Sequence, residues 1–321
     1  MTTGTTSEAA ERAHSVKEHL PPEGLFQDQH WRISPKPFSV GEKVAAEFQT
    51  LGRVLLQFYR AVNLLYRHSV TGKQPGWVAD WLDRGKPANL VALQRSDAFK
   101  NDVPRVIRPD ILVTDSGLSI IELDSVPGGI GLTAWLNKAY SALEFPVLGG
   151  GDGVHRGFAS IFGDVQAVHI IVSEEAGNYR PEMEWLSQEV DSRRFQVRSG
   201  SFKGFSKGDA VYRFFELFDV PNVANAQEVF ELAERREIFL TPAPKPVFEE
   251  KMLFALLCNR NLETFWRQNL GESFFKRLLS LAPYSWLIDP TPLPPHAAIP
   301  QLNITDWQQL KTLSQRERDL I

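Results

Sequence analysis

The sequence predicts an α/β fold leaning toward α+β, on three observations. Buried-strand segments alternate with helical ones between residues 167 and 217. Ahead of them runs a long stretch whose apolar residues follow helical spacing alone. Between these two regions, a pair of short apolar runs joined by a turn reads as a separate hairpin.

The long helix is read from Val44, Phe48, Leu51, Leu55, Phe58, Val62 and Leu65, whose steps of four and three keep one face apolar. A second helical piece around Trp77, Val78, Trp81 and Leu82 ends at Gly85 and Pro87. Residues 1–25 are small and polar and are expected to form a flexible tail or short surface helix. SVPGGIG (125–131) leads into a helix from Leu132 to about Leu143, and GGGDG (149–153) is expected to be a flexible connection at a boundary.

Beyond it, AVHIIVS, FQVRSG and AVYRFFEL are strand candidates, with a helix over PEMEWLSQEV between the first two. This alternation implies a parallel sheet. A further helix is expected near Val247. A proline-rich loop over 289–300 precedes a last short helix around Trp307 to Leu313. The expected division is a tail over 1–25, a helical segment with the hairpin over 26–150, an α/β domain over 151–245 and a helical return over 246–321.

Composition narrows the function classes. The 321 residues carry a net charge of −4 and no polybasic run, which gives no reason to expect nucleic acid or a membrane surface. A lone cysteine, Cys258, makes an internal disulfide framework impossible and a cysteine-based zinc site unpromising. No apolar run reaches the roughly 18–20 residues of a spanning helix, and no leader pattern opens the chain. These features predict a cytoplasmic protein.

The chemistry concentrates on the hairpin, VIRPDILV followed by LSIIEL. A loop of Asp115 and Ser116 alone would set Asp110 against Ile121. A loop of Asp115, Ser116 and Gly117, with Gly117 at positive φ, sets Asp110 opposite Glu122 and Arg108 opposite Asp124. In that register Ile111, Val113, Ile121 and Leu123 share the other face and are expected to pack on a core. Like charges directly opposed are destabilising, so three acids and one Arg on one face call for a cation or a retained proton. Carboxylates without His or Cys suit magnesium, manganese or calcium. The plainer reading is a solvated face with an Arg–Asp pair. Pro109 belongs at an edge or a bulge because it cannot donate a ladder hydrogen bond.

At these residues the chain resembles the circularly permuted ATP-grasp enzymes, the group that includes glutathionylspermidine synthase. The resemblance rests on Arg-x-Asp, then eleven residues, then Glu-x-Asn/Asp, here Arg108-Pro109-Asp110 and Glu122-Leu123-Asp124. Asp124 stands where Asn is the commoner residue. Weaker similarity runs over most of residues 100–321. The resemblance implies a Rossmann-like pre-ATP-grasp domain and a metal-binding β-hairpin with helices. It also implies Mg2+ (or Mn2+) on Asp110, Glu122 and Asp124, with Arg108 at the reacting phosphoryl or acyl group. ATP would be the co-substrate, with small-molecule or peptide carboxylates and amines as partners. The lysines that contact ATP are then expected beyond Ile321, in a lobe this chain lacks.

Several features carry their own alternatives. SVPGGIG could let a phosphate or substrate approach Ser125, Gly128, Gly129 and Gly131 at a helix N-terminus, or could simply be a tight turn. His155 and His169 read as a surface and a strand residue, Cys258 as a buried inert thiol, and Arg213 as half of an ion pair at the core edge. The function expected is an ATP-dependent carboxylate–amine ligase working through an acyl phosphate. The first rival is a non-catalytic binding or scaffold protein that keeps the N-terminal half of the fold. A metal-dependent phosphohydrolase ranks third.

Overall fold

The computed structural model describes residues 3–21, 32–115, 117–287 and 307–319. The proline-rich loop over 289–300 and the terminal Leu320 and Ile321 lie outside the described residues. In chain order the elements are α1 (Thr3–Glu18), α2 (Gly41–Val70), α3 (Trp77–Asp83), α4 (Ala88–Arg95), β1 (Arg108–Thr114) and β2 (Gly117–Asp124). They continue with α5 (Ile130–Ala142), α6 (Gly153–Ser160), β3 (Val168–Val172), α7 (Arg180–Asp191), β4 (Phe195–Ser199) and β5 (Ala210–Phe214). The rest are α8 (Ala226–Glu234), β6 (Phe239–Thr241), α9 (Leu253–Cys258), α10 (Glu263–Leu281) and α11 (Gln315–Arg318). The fold is mixed α/β, with a parallel four-stranded sheet and a separate two-stranded hairpin.

The chain forms two compact units. The first comprises residues 1–53, 87–108 and 125–245, and the second residues 54–86, 109–124 and 246–321. The stretch 26–150 thus contributes to both.

In the first unit the strand order is β4-β3-β5-β6, all parallel, with Val168 level with Phe195 on one side and Ala210 on the other. Every residue of β3 and β5 is buried, as befits strands covered on both faces. Alternation sends Ile170 and Tyr212 to a core with Phe158, Met183 and Leu186 from α6 and α7. Ile171 and Val211 point the other way, toward Val229 and Phe230 of α8 and Leu90 of α4. The order reverses direction between β3 and β5, and in open α/β sheets the crevice at the carboxyl ends of such a pair is where ligands bind. The opening residues do more than trail: Val16 of α1 is buried against Trp135 and Tyr140. GGGDG is the turn between α5 and α6, and a Cβ on its Gly151 would lie 3.0 Å from the Ser141 Cβ.

The second unit is built on α2. The predicted stripe holds, with Leu55, Phe58, Val62 and Leu65 almost fully buried. The Phe58 ring lies 5.6 Å from Trp266 of α10, and the Trp266 indole N–H donates to the Leu256 carbonyl at 2.8 Å. β2 packs on α10. α10 is interrupted by non-helical backbone at Gly271.

Candidate functional site

The hairpin forms where it was expected, and Gly117 has the positive φ (129°) required of it, although it already belongs to β2. Ser116, between the strands, lies outside the described residues. The buried face is a correction to the sequence reading. Val113 and Ile121, expected to pack on a core, are 61% and 46% exposed, while Ile120 is 1% exposed. β2 packs on α10, and Ile120 is its one buried residue. Alternation puts Glu122 and Asp124 on the same side as Ile120, where they are half-buried while Leu112 is 51% exposed.

Asp110, Glu122 and Asp124 are all half-buried. The Lys251 ammonium lies 3.2 Å from Glu122 Oε2, a partner that the spacing of the motif did not indicate. Tyr59 of α2 is fully enclosed. Its ring centroid lies 5.0 Å from that of Phe248, which belongs to a 3-10 turn over Pro246–Glu249. The Tyr59 hydroxyl has no hydrogen-bond partner. Burial drives its pKa well above the usual phenol value, and the charges of Asp124 and Glu249 push in the same direction. An enclosed hydroxyl left unsatisfied costs about 1–3 kcal/mol, so its retention calls for a reason.

Among the described residues, no three His, Cys, Asp or Glu side chains converge into a group that could hold a metal ion. The fit to the expected cation is therefore partial. The donor chemistry is right for magnesium or manganese, but Glu122 is held by Lys251.

Arg108 belongs to the first unit, where its Nη1 donates to the Gly128 carbonyl at 2.9 Å. Gly128 opens onto the ring of Tyr179, only 2.3 Å from where a Cβ would stand, and that ring lies 5.9 Å from Phe214 at the end of β5. The SVPGGIG turn thus sits at the carboxyl end of the sheet, beside the reversal point. Both readings of this turn keep some footing. Its amides do meet an anion, but the anion is the chain's own: Gly129 N and Leu132 N donate to the two carboxylate oxygens of Glu182, at 2.7 and 2.9 Å. Glu182 is fully buried, and burial raises its pKa against the opposing pull of those amides and of Arg108. Ser125 is 2% exposed and Gly131 is buried, with a Cβ on Gly131 falling 2.2 Å from the Glu182 carbonyl oxygen. Nothing in PEMEWL marked Glu182 as the closing anion, because its partners lie some 50 residues away.

The remaining features are mainly structural. Arg213 is 1% exposed inside β5, not at a core edge, and donates to the Pro242 and Phe215 carbonyls. His169 is buried between Asp209, at 3.1 Å from Nε2, and Arg198, whose Nε donates to Nδ1 at 3.3 Å. Cys258 is half-buried and its thiol pKa is raised by burial, which suits an inert thiol.

No protein-family model matches the chain, and no curated protein is significantly similar to it. No helix among the described residues is long and apolar enough to cross a membrane.

Proposed function

We propose that this chain carries the cation-binding and substrate-binding half of an ATP-dependent carboxylate–amine ligase of the permuted ATP-grasp type. The observation behind this reading is the setting of β2, where the half-buried Glu122 and Asp124 alternate with the buried Ile120. The parallel sheet then corresponds to the Rossmann-like pre-ATP-grasp domain, with its reversal point beside the SVPGGIG turn.

In the reaction, a substrate carboxylate oxygen attacks the γ-phosphorus of ATP, and ADP departs to leave an acyl phosphate. An amine attacks the acyl carbon, phosphate leaves, and the amine nitrogen gives up a proton as the amide forms. Asp110, Glu122 and Asp124 would hold Mg2+ or Mn2+, whose charge neutralises phosphate oxygens. The Arg108 guanidinium would stabilise developing charge on the phosphoryl group. Gly128 and Gly129, whose amide neighbours close on Glu182, would offer a narrow approach to a substrate.

Hydroxylamine trapping tests this reading. With the ATP-binding lobe supplied, incubation with Mg·ATP and a panel of peptide carboxylates should release ADP and hydroxamate in equal amounts, and Glu122→Ala should remove both. Undiminished hydroxamate formation by Glu122→Ala would sink the assignment.

A second reading, a non-catalytic binding or scaffold protein, is favoured by the occupation of the α5 amides by Glu182 and by the engagement of Glu122 with Lys251. Calorimetry with Mg·ATP separates the two: a chain that takes up neither nucleotide nor cation is the scaffold.

A further inference from the structure

We propose that the first unit carries a further binding site, a groove between α5 and the segment 32–38, for a small aryl-alkyl carboxylate. The apolar body of the ligand would lie in the groove, with its carboxylate at a cationic rim. The site shares no residue with the hairpin acids and does not depend on the ligase reading.

The groove has a volume of about 310 Å3, at the lower end of the range for small-molecule sites. One wall is a single face of α5: Thr133, Leu136, Asn137 and Tyr140 recur at helical spacing and so share a side. The other wall is the segment from Arg32 to Phe38. Ile33, Leu136 and Val147 pack against Trp135 and Tyr140, so the apolar lining is backed by ordered side chains.

The segment is pinned to α5. The Tyr140 hydroxyl donates to the Ser34 carbonyl at 3.0 Å, and the Ser34 hydroxyl donates to the Lys36 carbonyl at 2.5 Å. Pro35 and Pro37 fix φ on either side of Lys36. A wall with few free torsions loses little entropy when a ligand enters.

The charge at the rim has one sign. Arg32 and Lys36 both line the groove, and among the described residues no carboxylate does. Phe38 adjoins them with 80% of its surface exposed. A single exposed ring is ordinary on a protein surface, but this one stands at the mouth of an apolar groove. Together these features select the ligand class. A ring placed against Leu136, Pro37 and Phe38 leaves water on both partners. A carboxylate matches the fork of the Arg32 guanidinium, and Lys36 adds a second positive charge. Free phosphate would leave the apolar lining uncovered, and a neutral arene would leave the cations unmatched.

The test is calorimetric titration of the whole chain with hydrocinnamate, beside hydrocinnamyl alcohol and inorganic phosphate. Hydrocinnamate should bind in the millimolar range or tighter, and each of the other two about tenfold more weakly. Arg32→Gln should weaken hydrocinnamate binding by about threefold to tenfold, as expected of a charge at an exposed rim. Phe38→Ser should weaken it by a similar factor through lost apolar contact. Thr133→Phe, which fills the groove from an exposed position on α5, should abolish binding. Arg32 and Phe38 are exposed, so their variants should keep the wild-type thermal midpoint. The proposal is overturned if hydrocinnamate does not bind, or binds the three variants as it binds the wild type. Equal binding of the alcohol overturns it in favour of a plain apolar groove, and equal binding of phosphate in favour of a plain cationic patch. The hydroxamate assay reads other residues, so the ligase reading stands or falls separately.

Discussion

The carboxylate of Glu182 closes the N-terminus of α5, accepting from Gly129 N at 2.7 Å and Leu132 N at 2.9 Å. Removing it takes away the acceptor of two half-buried amides. Glu182→Ala is expected to destabilise the protein by about 2–4 kcal/mol, read as a lowered urea midpoint. The effect depends on pH in a definite sense. Burial raises the carboxyl pKa in the folded state, so its contribution is fullest below the ordinary carboxylate range and is lost as pH rises through the folded-state value. The gap between wild type and Glu182→Ala should therefore be wider at about pH 4 than at about pH 7.

Gly131 and Gly129 should respond differently to alanine. A methyl group at Gly131 would strike the Glu182 backbone at 2.2 Å, whereas the space around Gly129 is open. Gly131→Ala is expected to cost more than about 2 kcal/mol through displacement of α7. Gly129→Ala should cost about 1–2 kcal/mol, from its φ of 82° alone. Thermal denaturation of the two variants side by side checks the order.

His169 gives the molecule an acid sensitivity. Burial lowers its pKa, Asp209 opposes that shift, and Arg198 adds to it. A depressed folded-state value means that its stabilising contribution is present above the ordinary imidazole value and is lost as pH falls through the lowered one. Denaturation midpoints should fall on going from about pH 7.5 to about pH 5.5, and His169→Gln should flatten that fall. An undiminished slope in the variant would assign the effect elsewhere, with the half-buried His155 next in line.

Lys251 and Glu122 form a partly exposed pair, at 77% and 37% side-chain exposure. Such pairs contribute little to stability, so Lys251→Ala should change the urea midpoint by less than about 0.5 kcal/mol. Under the proposed function it should strengthen Mn2+ binding, because Glu122 is released to the cation. Weaker binding would show that Lys251 serves the site instead of competing with it.

The parts of the fold legible in the sequence are those fixed by local pattern. The stripe from Leu55 to Leu65 and the fully apolar runs of β3 and β5 declare themselves, because burial on one face or on both leaves a distinct period. β6 was not read, since three residues at the edge of a proline-rich stretch have no room to show a period. The hairpin was located correctly, but Val113 and Ile121, expected to be covered, are exposed, and Ile120 is buried in their place. Leu112 and Val113 are both aliphatic, as are Ile120 and Ile121, so alternation leaves the choice of face open. The choice was made by α10, more than a hundred residues further on. The same distance hid Glu182, Lys251 and the unpartnered hydroxyl of Tyr59. Each gains its meaning from a neighbour remote in sequence.

The interleaving of segments in the second unit bears on the birth of the protein at the ribosome. Phe58 and Tyr59 emerge early, yet their ring partners Phe248 and Trp266 are made roughly two hundred residues later. At about 5–20 residues per second, the apolar stripe of α2 waits on the order of 10–40 seconds for its cover. Neither unit is a contiguous stretch of chain, so no nascent fragment shorter than residue 245 can finish the first, and the second closes only afterwards. For that interval the oiliest face of the longest helix is a client for chaperones, and its safe passage is a condition for assembling the acid-lined site at all.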